Sequence, residues 1–303
     1  MAFVGWIALA APRSRVAFYI QGLGSAAGLL AMGLTGLWLF PPWWVPWIFA
    51  GLLVMAFLVG WRRRYPFASW SPKGGIAWIV TAAFIAVGGW GVYQSANALA
   101  GRAPQTGALV NLAFPLKGGT YLVVNGGSNM SVNPHLMTLD ASMARFHAYG
   151  GQSYGVDIVK LDEWGFRAKG LQPTELGAYV IYGVPVYAPC TGVVKVAIDG
   201  LPDMPVPQMD RELMAGNHVL LRCAGADVLL GHLQPGSIKV KAGDQVAVGQ
   251  LVGAVGNSGN TGEPHLHIHA QQAGTALEPI SGNPLPISLN GRHLVRNDRI
   301  SVP

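Results

Sequence analysis

The sequence predicts an N-terminal bundle of three transmembrane α-helices followed by a mainly antiparallel all-β domain. Three observations predict this division. No acidic residue precedes Asp140, the long charge-free apolar runs lie in the first hundred residues, and short β-type runs separated by Gly and Pro follow them. A chain of 303 residues has room for a membrane portion and one medium-sized domain.

The predicted membrane anchor covers residues 1–100, with spans at about 16–40, 45–61 and 75–95. The first run contains no charged residue and is long enough to cross the ~30 Å hydrocarbon layer at about 1.5 Å per residue. A turn rich in Pro and Trp, residues 41–47, interrupts the apolar sequence. Proline breaks helices and tryptophan is enriched at membrane interfaces, so this turn is expected at the membrane surface.

The basic residues of the anchor predict its orientation. Six of the 20 Lys and Arg precede residue 100: Arg13, Arg15, Arg62, Arg63, Arg64 and Lys73. The other 14 balance the 14 acidic residues, so the whole excess of +6 belongs to the N-terminal third. The positive-inside rule then places the N-terminus and the Arg-rich loop in the cytoplasm. We therefore expect a multi-pass protein of the cytoplasmic (inner) membrane with a periplasmic or extracellular C-terminal domain, and we do not expect nucleic-acid binding.

The remainder of the chain is expected to contain a linker with a leading strand at 101–119, a β domain at 120–285 and a C-terminal tail at 286–303. Short runs rich in β-branched and aromatic residues predict its strands. They lie at 120–124, 179–182, 193–198, 218–222, 228–230, 237–240 and 266–270.

The two cysteines, Cys190 and Cys223, both lie in the predicted outer domain next to strands. Outside the cytoplasm an even pair of cysteines is able to form a disulfide, and two free buried thiols are the alternative. We favour the disulfide.

The strongest chemical signal is a set of histidines in the last third of the chain. His232 follows an apolar strand, a Gly-punctuated hairpin series covers 240–256, and a Gly/Asn/Thr loop leads to His265-Leu-His267. Residues two apart on a strand face the same way, so His265 and His267 project together. Neighbouring imidazoles of this kind suit a divalent metal ion and a bound water.

The run from His232 through His267 closely resembles lysostaphin/LytM-type zinc endopeptidases. Tyr154-Gly-Val-Asp-Ile158 resembles the first motif of that family, and the segment 184–194 resembles its following strand pair. The resemblance covers about residues 120–272. It implies a groove formed on a β-sheet, a zinc cofactor and peptidoglycan peptides as substrate.

The resemblance also implies roles for individual residues. Asp157 and His267 match the zinc ligands of the family. His232 and His265 match two histidines that do not bind zinc, but orient the attacking water and stabilise the developing oxyanion. These roles agree with the general chemistry of zinc hydrolases, in which nearby imidazoles transfer protons.

One position departs from the family pattern. The family's third ligand is a His four residues before the Asp, and Ser153 stands there in this chain. A serine hydroxyl is a poor zinc ligand. We favour His135 as the replacement because Asn133-Pro-His135 resembles a variant branch with an Asn-x-His element. His147 is the alternative, and both histidines could instead be exposed loop residues.

The resulting hypothesis is a membrane-anchored zinc metalloendopeptidase that cleaves peptide bonds in peptidoglycan cross-links or stem peptides. The expected partners are the lipid bilayer, the wall peptides and other envelope proteins. The first alternative is a catalytically inactive LytM-type domain that binds the cell wall or activates a partner hydrolase. A second is a metalloprotease that acts on exported proteins.

Overall fold

The protein is described from a computed structural model, which covers residues 2–10, 14–105, 109–275 and 278–303. Arg13, one of the basic residues that predict the membrane orientation, lies outside these ranges. The chain forms two compact units. One contains residues 1–36 and 41–100, and the other contains residues 37–40 and 101–303.

Three long helices form the first unit: α1 (Arg15–Thr35), α2 (Val45–Arg64) and α3 (Gly75–Ala100). Short helical turns at Ala2–Gly5 and Trp6–Ala10 precede them. All three are long and apolar enough to cross a membrane, with mean hydropathies of 1.4, 1.7 and 1.8. Helix α1 is shorter than expected because the backbone becomes extended at Gly36 (ψ 150°).

Glycines allow α1 and α3 to approach closely. A Cβ at Gly24 would lie 2.3 Å from the carbonyl oxygen of Phe84, and one at Gly91 would lie 2.5 Å from the carbonyl carbon of Ala27. Small residues at a helix–helix contact let the backbones pack together, as is common in membrane bundles. The glycines of these apolar runs therefore have a packing role that hydropathy alone does not reveal.

The second unit is built on a nine-stranded sheet in which every strand pairing is antiparallel. Its main path has the order β13-β2-β3-β10-β7-β6-β5-β8, and β11 pairs with β10. Two small sheets, β4–β9 and the parallel pair β1–β12, complete the unit. The strands are β1 (Val110–Leu112), β2 (Gly119–Asn125), β3 (Val156–Leu161), β4 (Pro185–Tyr187), β5 (Gly192–Ile198), β6 (Asn217–Cys223), β7 (Ala226–Leu233), β8 (Gln245–Val246), β9 (Leu251–Ala254), β10 (Leu266–Gln272), β11 (Pro284–Leu285), β12 (Ile287–Leu289) and β13 (Arg299–Val302).

The predicted fold class, three apolar helices followed by a mainly antiparallel β domain, is confirmed. Two of the predicted strands are wrong. Residues 179–182 form a turn in which the Tyr179 N–H donates to the carbonyl of Leu176, and residues 237–240 form no strand. Both runs have β-type composition, but their backbone pairing does not extend into a ladder: Tyr179 forms an isolated bridge with Ala168, and the Lys239 N–H donates to the carbonyl of Val252 in β9 at 3.0 Å. The segment expected to be a tail, 286–303, contributes β12 and β13.

A disulfide joins Cys190 to Cys223, as we expected from their location. Their Cα atoms are 6.1 Å apart, within the range that a disulfide requires. The bond links the end of β6 to the segment that precedes β5.

Candidate metal centre

The candidate site begins with a row of polar residues across three neighbouring strands. In the pairing of β3 with β10, Asp157 lies opposite His267, and in the pairing of β2 with β3 it lies opposite Asn125. An irregularity between Val123 and Asn125 sets the second pairing. Directly paired residues project on the same face of a sheet, so this register brings together side chains that are distant in the sequence.

His135, Asp157 and His267 form a cluster that could hold one metal ion. Their ligand atoms all lie within 4.8 Å of one another. His267 Nδ1 donates to Asp157 Oδ1 at 2.7 Å, and His135 Nε2 lies 3.4 Å from Asp157 Oδ2. Asp157 and His267 are each only 4% exposed. A metal ion would replace the proton between these two groups, because metal ligands must be deprotonated.

Asn133 fixes the ring of His135. The Asn133 Oδ1 accepts from both the backbone N–H and the Nδ1–H of His135, at 3.2 and 3.0 Å. Its Nδ2 donates to the carbonyl oxygens of Gly127 and Gly155, which defines the orientation of the amide. The proton therefore lies on Nδ1 of His135, and the unprotonated Nε2 is able to bind a metal ion.

Ser153 and His147 lie outside this cluster. Ser153 is fully buried, and its Oγ lies 2.7 Å from Oγ1 of Thr138, which donates to the carbonyl of His135 at 2.8 Å. Ser153 thus supports the turn that carries His135. His147 is exposed and donates from Nε2 to the carbonyl of Asp140 at 3.0 Å. The geometry favours His135 over His147 as the third ligand.

His232 and His265 lie beside the cluster with their rings 4.7 Å apart. In each residue Nδ1 donates to a carbonyl oxygen, that of Ser258 for His232 and that of Glu263 for His265, both at 2.9 Å. Each therefore has a bare Nε2. The Nε2 of His265 is 3.7 Å from Asp157 Oδ1. Both imidazoles are able to accept a proton from a water molecule at the centre.

The backbone of His232 is strained, with φ at 60°. Left-handed conformations are uncommon for residues other than glycine and are concentrated at functional sites. Two hydrogen bonds hold it: the His232 N–H donates to Ala215, and the Gly256 N–H donates to the His232 carbonyl, at 3.0 and 2.9 Å. This conformation directs the ring at the end of β7 toward the cluster.

Steric contact with His267 explains the glycine at position 155, in the Tyr-Gly-Val-Asp segment. A Cβ at Gly155 would lie 2.7 Å from Cε1 of His267. The ring of His267 therefore occupies space that any other residue at position 155 would fill.

The charges at the site favour a metal cation. Burial by itself would raise the pKa of Asp157, but the neighbouring histidines His135, His265 and His267 hold that pKa well below its usual value. Burial lowers the pKa of His135 to about 4, although Asp157 partly opposes this shift. Burial, followed by the neighbouring imidazoles His265 and His267, also lowers the pKa of His232. At neutral pH the cluster thus offers an ionised carboxylate from Asp157 and a neutral imidazole from His135, which are the forms that bind metals.

Two supporting residues, Arg167 and Glu263, were not found from the sequence. Arg167 donates twice to the Glu263 carboxylate, both at 2.7 Å, and so steadies the loop whose carbonyl holds His265. His269 Nδ1 lies 2.9 Å from His267 Nε2. The position of His269 two residues after His267 on a strand was the available signal for that contact. No sequence signal connected Arg167 with Glu263.

The donor set fits zinc. Two imidazole nitrogens and one carboxylate oxygen are the ligand types of catalytic zinc sites, which leave a fourth position for water or substrate. His135, Asp157 and His267 would hold the ion.

Because histidines of the β domain are buried, we expect the free energy of unfolding of the metal-free domain to fall in acid. Burial lowers the pKa of His218, which is 5% exposed and donates from Nδ1 to the carbonyl of Gly216 at 2.7 Å. The unfolded chain therefore binds more protons below pH ~6.5, and the free energy of unfolding falls as the pH falls below that value. Burial also lowers the pKa values of His135, His232 and His269. His218→Gln should therefore reduce the dependence of the free energy of unfolding on pH without removing it.

The slope should become shallower by at most ~1.4 kcal/mol per pH unit, the effect of one proton. Urea midpoints of the full chain in detergent with a chelator, measured by pulse proteolysis between pH 7 and pH 5, would check this. An unchanged slope in His218→Gln would show that this histidine is not buried in its neutral form.

Comparison with known proteins finds a family match for part of the β domain. Residues 177–279 match peptidase family M23. The lysostaphin/LytM-type resemblance inferred from the motifs is thereby confirmed, and it supports a peptidase. The matched M23 region contains His232, His265 and His267, whereas His135 and Asp157 precede it. No curated protein has a significantly similar sequence.

Solved structures with M23 domains are also similar to this chain. A family M23 protein from Pseudomonas aeruginosa is 25% identical over 36% of this chain and 44% of its own, with a TM-score of 0.24. The catalytic domain of lysostaphin from Staphylococcus simulans is 23% identical over 35% of this chain and 77% of its own, with a TM-score of 0.24. A single-residue mutant of the catalytic domain of EnpA, a prophage-encoded M23 protein from Enterococcus faecalis, is 29% identical over 39% of this chain and 84% of its own, with a TM-score of 0.22. This chain therefore spans less than half of the Pseudomonas protein.

Proposed function

We propose that this protein is a membrane-anchored zinc metalloendopeptidase that hydrolyses peptide bonds in peptidoglycan cross-links or stem peptides. One observation carries the proposal: the ligand atoms of His135, Asp157 and His267 lie within 4.8 Å of one another, and His232 and His265 stand beside them. A cluster of three metal ligands next to two proton-accepting imidazoles is the arrangement that metal-assisted hydrolysis requires.

The metal centre would combine three ligands with two proton carriers. Zinc, when bound, supplies a Lewis acid that polarises the scissile carbonyl and activates water. His232 and His265 present bare Nε2 atoms, so either is able to take a proton from the attacking water. Once protonated, the same nitrogen is a donor and is able to stabilise the developing oxyanion or to protonate the leaving amine.

The hydrogen bonds to Ser258 and Glu263 give these two histidines their direction. A carbonyl that accepts from Nδ1 fixes the tautomer and stabilises the ring when Nε2 becomes protonated. Because Arg167 holds Glu263 in turn, the loop that carries His265 is fixed before substrate arrives. Fixed groups do not have to reorganise during the reaction.

The location of the substrate supports a wall peptide. The three apolar helices and the basic residues around them favour a cytoplasmic N-terminus and an outer β domain. The Cys190–Cys223 disulfide agrees with an oxidising compartment. A membrane tether would raise the effective concentration of the domain near peptidoglycan.

Digestion of purified peptidoglycan tests the proposal. The full chain, purified in detergent and loaded with zinc, should release peptides with new amino termini that mass spectrometry identifies, and chelation should stop the release. The Asp157→Asn variant, with its carboxylate removed, serves as the matched control. A protein that binds zinc stoichiometrically but leaves sacculi intact would be a wall-binding or activating domain. Cleavage of casein without cleavage of sacculi would indicate an exported protein as substrate.

A further inference from the structure

Arg296 reaches the candidate site from the C-terminal segment, between β12 and β13. Among the described residues, its guanidinium donates to oxygens of Val124, Ser131 and Asn125. Nε donates to the carbonyl of Val124 at 3.0 Å, Nη1 to that of Ser131 at 3.4 Å, and Nη2 to Oδ1 of Asn125 at 2.8 Å. An arginine is always charged and its guanidinium has no acceptor, so each of these contacts has one possible direction.

The contact with Arg296 determines which way the Asn125 amide faces. Because Oδ1 accepts from the guanidinium, Nδ2 lies on the other side, where it donates to Oδ2 of Asp157 at 2.8 Å. A reversed amide would place an NH₂ against the arginine and an oxygen against the carboxylate, and both contacts would be repulsive. The amide thus transmits the direction imposed by Arg296 to Asp157.

We propose that Arg296 and Asn125 are positioning residues of the metal centre. Arg296 fixes the Asn125 amide, and the amide holds the carboxylate of Asp157 in the orientation in which it binds the ion. This inference rests on the proposed function, since Asp157 must be a ligand for the contact to matter. Removal of a hydrogen bond that orients a metal ligand typically weakens metal binding by about 10- to 100-fold.

The backbone around Arg296 keeps the guanidinium in place. The N–H of Arg296 donates to the carbonyl of Gly126 at 3.2 Å, and that of Asn297 donates to Val123 at 2.9 Å. These bonds attach the C-terminal turn to the end of β2, where the register shifts just before Asn125. The position of the arginine is therefore set by main-chain contacts that remain when its side chain is changed.

A second arginine contact on the same turn provides a matched control. Arg102 binds the carboxylate of Asp298, two residues after Arg296, and that carboxylate also accepts from the N–H of Val295 at 3.0 Å. Arg102→Gln removes an arginine–oxygen contact from this turn without touching Asn125 or Asp157. This variant therefore distinguishes the effect of a more weakly attached turn from the effect of a misoriented Asp157 carboxylate.

The experiment is a double-mutant cycle on cobalt affinity. The full chain in detergent is stripped of metal, and Co²⁺ binding is followed by its visible absorption in the native protein and in Asn125→Ala, Arg296→Gln, the double variant and Arg102→Gln. Asn125→Ala should bind Co²⁺ about 10- to 100-fold more weakly, with an altered spectrum. Arg296→Gln should lose ~10-fold in the native background, but less than about twofold in the Asn125→Ala background, because its effect passes through the amide. Arg102→Gln should bind like the native protein.

Each outcome has a defined meaning. Equal losses from Arg296→Gln in both backgrounds, or native affinity in Asn125→Ala, would overturn the positioning role while leaving the proposed function intact. Native protein that binds neither Co²⁺ nor Zn²⁺ would overturn the proposed function as well. Should Arg296→Gln fail to fold, Asn125→Ala decides, because it keeps the arginine contacts to Val124 and Ser131.

Discussion

Replacing His267 with alanine should abolish zinc binding. His267 is one of the three proposed ligands, it is 4% exposed, and its Nδ1 lies 2.7 Å from Asp157. Its removal would leave one imidazole and one carboxylate, fewer than the three protein ligands of catalytic zinc sites. We expect less than ~0.1 zinc per chain where the native protein holds one. Elemental analysis after removal of free metal measures this ratio.

His147→Ala is the matched control for that experiment, because His147 is exposed and contacts the carbonyl of Asp140 outside the cluster. It should retain full zinc. His135→Ala, in contrast, should lose zinc as His267→Ala does. Full metal and activity in His135→Ala would contradict the assignment of His135 as the replacement for the family's ligand histidine, whose position Ser153 occupies in this chain.

Replacing His232 should spare zinc binding and slow hydrolysis by ~10²-fold or more, the effect of losing one proton-transfer or oxyanion contact. The ring of His232 is 4.7 Å from that of His265 and 5.8 Å from that of His267, but His232 is not among the three clustered ligands. The measurement is kcat on peptidoglycan together with zinc content for each variant.

The choice of substitution matters because the backbone at His232 has a φ of 60°. Alanine is strained in that conformation, whereas asparagine adopts it more readily. His232→Ala and His232→Asn should therefore both keep zinc and both lose turnover. If activity loss in either variant were accompanied by zinc loss equal to that of His267→Ala, the roles of the two histidines would be misassigned.

The three apolar helices show how much local sequence predicts. Their existence and order were predicted from charge-free runs, because apolar length and the absence of charge are properties of consecutive residues. Their ends differ from the predicted ones. Helix α1 stops at Thr35, and α3 continues to Ala100, beyond the expected end near residue 95.

The β domain shows where local patterns fail. The run 179–182 has the composition of a strand but forms a turn, whereas β3 was not among the predicted strands, and its Asp157 was identified only through a motif. Strand formation requires a partner ladder, and the partner is chosen by the whole fold. The assignment of 286–303 to a tail missed β13, which pairs with β2 at the edge of the sheet.

The sequence by itself determined the division into an apolar helical part and a β part. It also indicated the five residues of the candidate site, four through the His232, His265-Leu-His267 and Asp157 motifs and His135 as the favoured one of two alternatives. Such features lie within short stretches, where periodicity and residue type carry the information. Only the tertiary structure decided that His135 and not His147 joins Asp157 and His267, and that Arg296 reaches Asp157 through Asn125. These contacts depend on strand register and on the packing of segments that are as much as 171 residues apart, which no local pattern encodes.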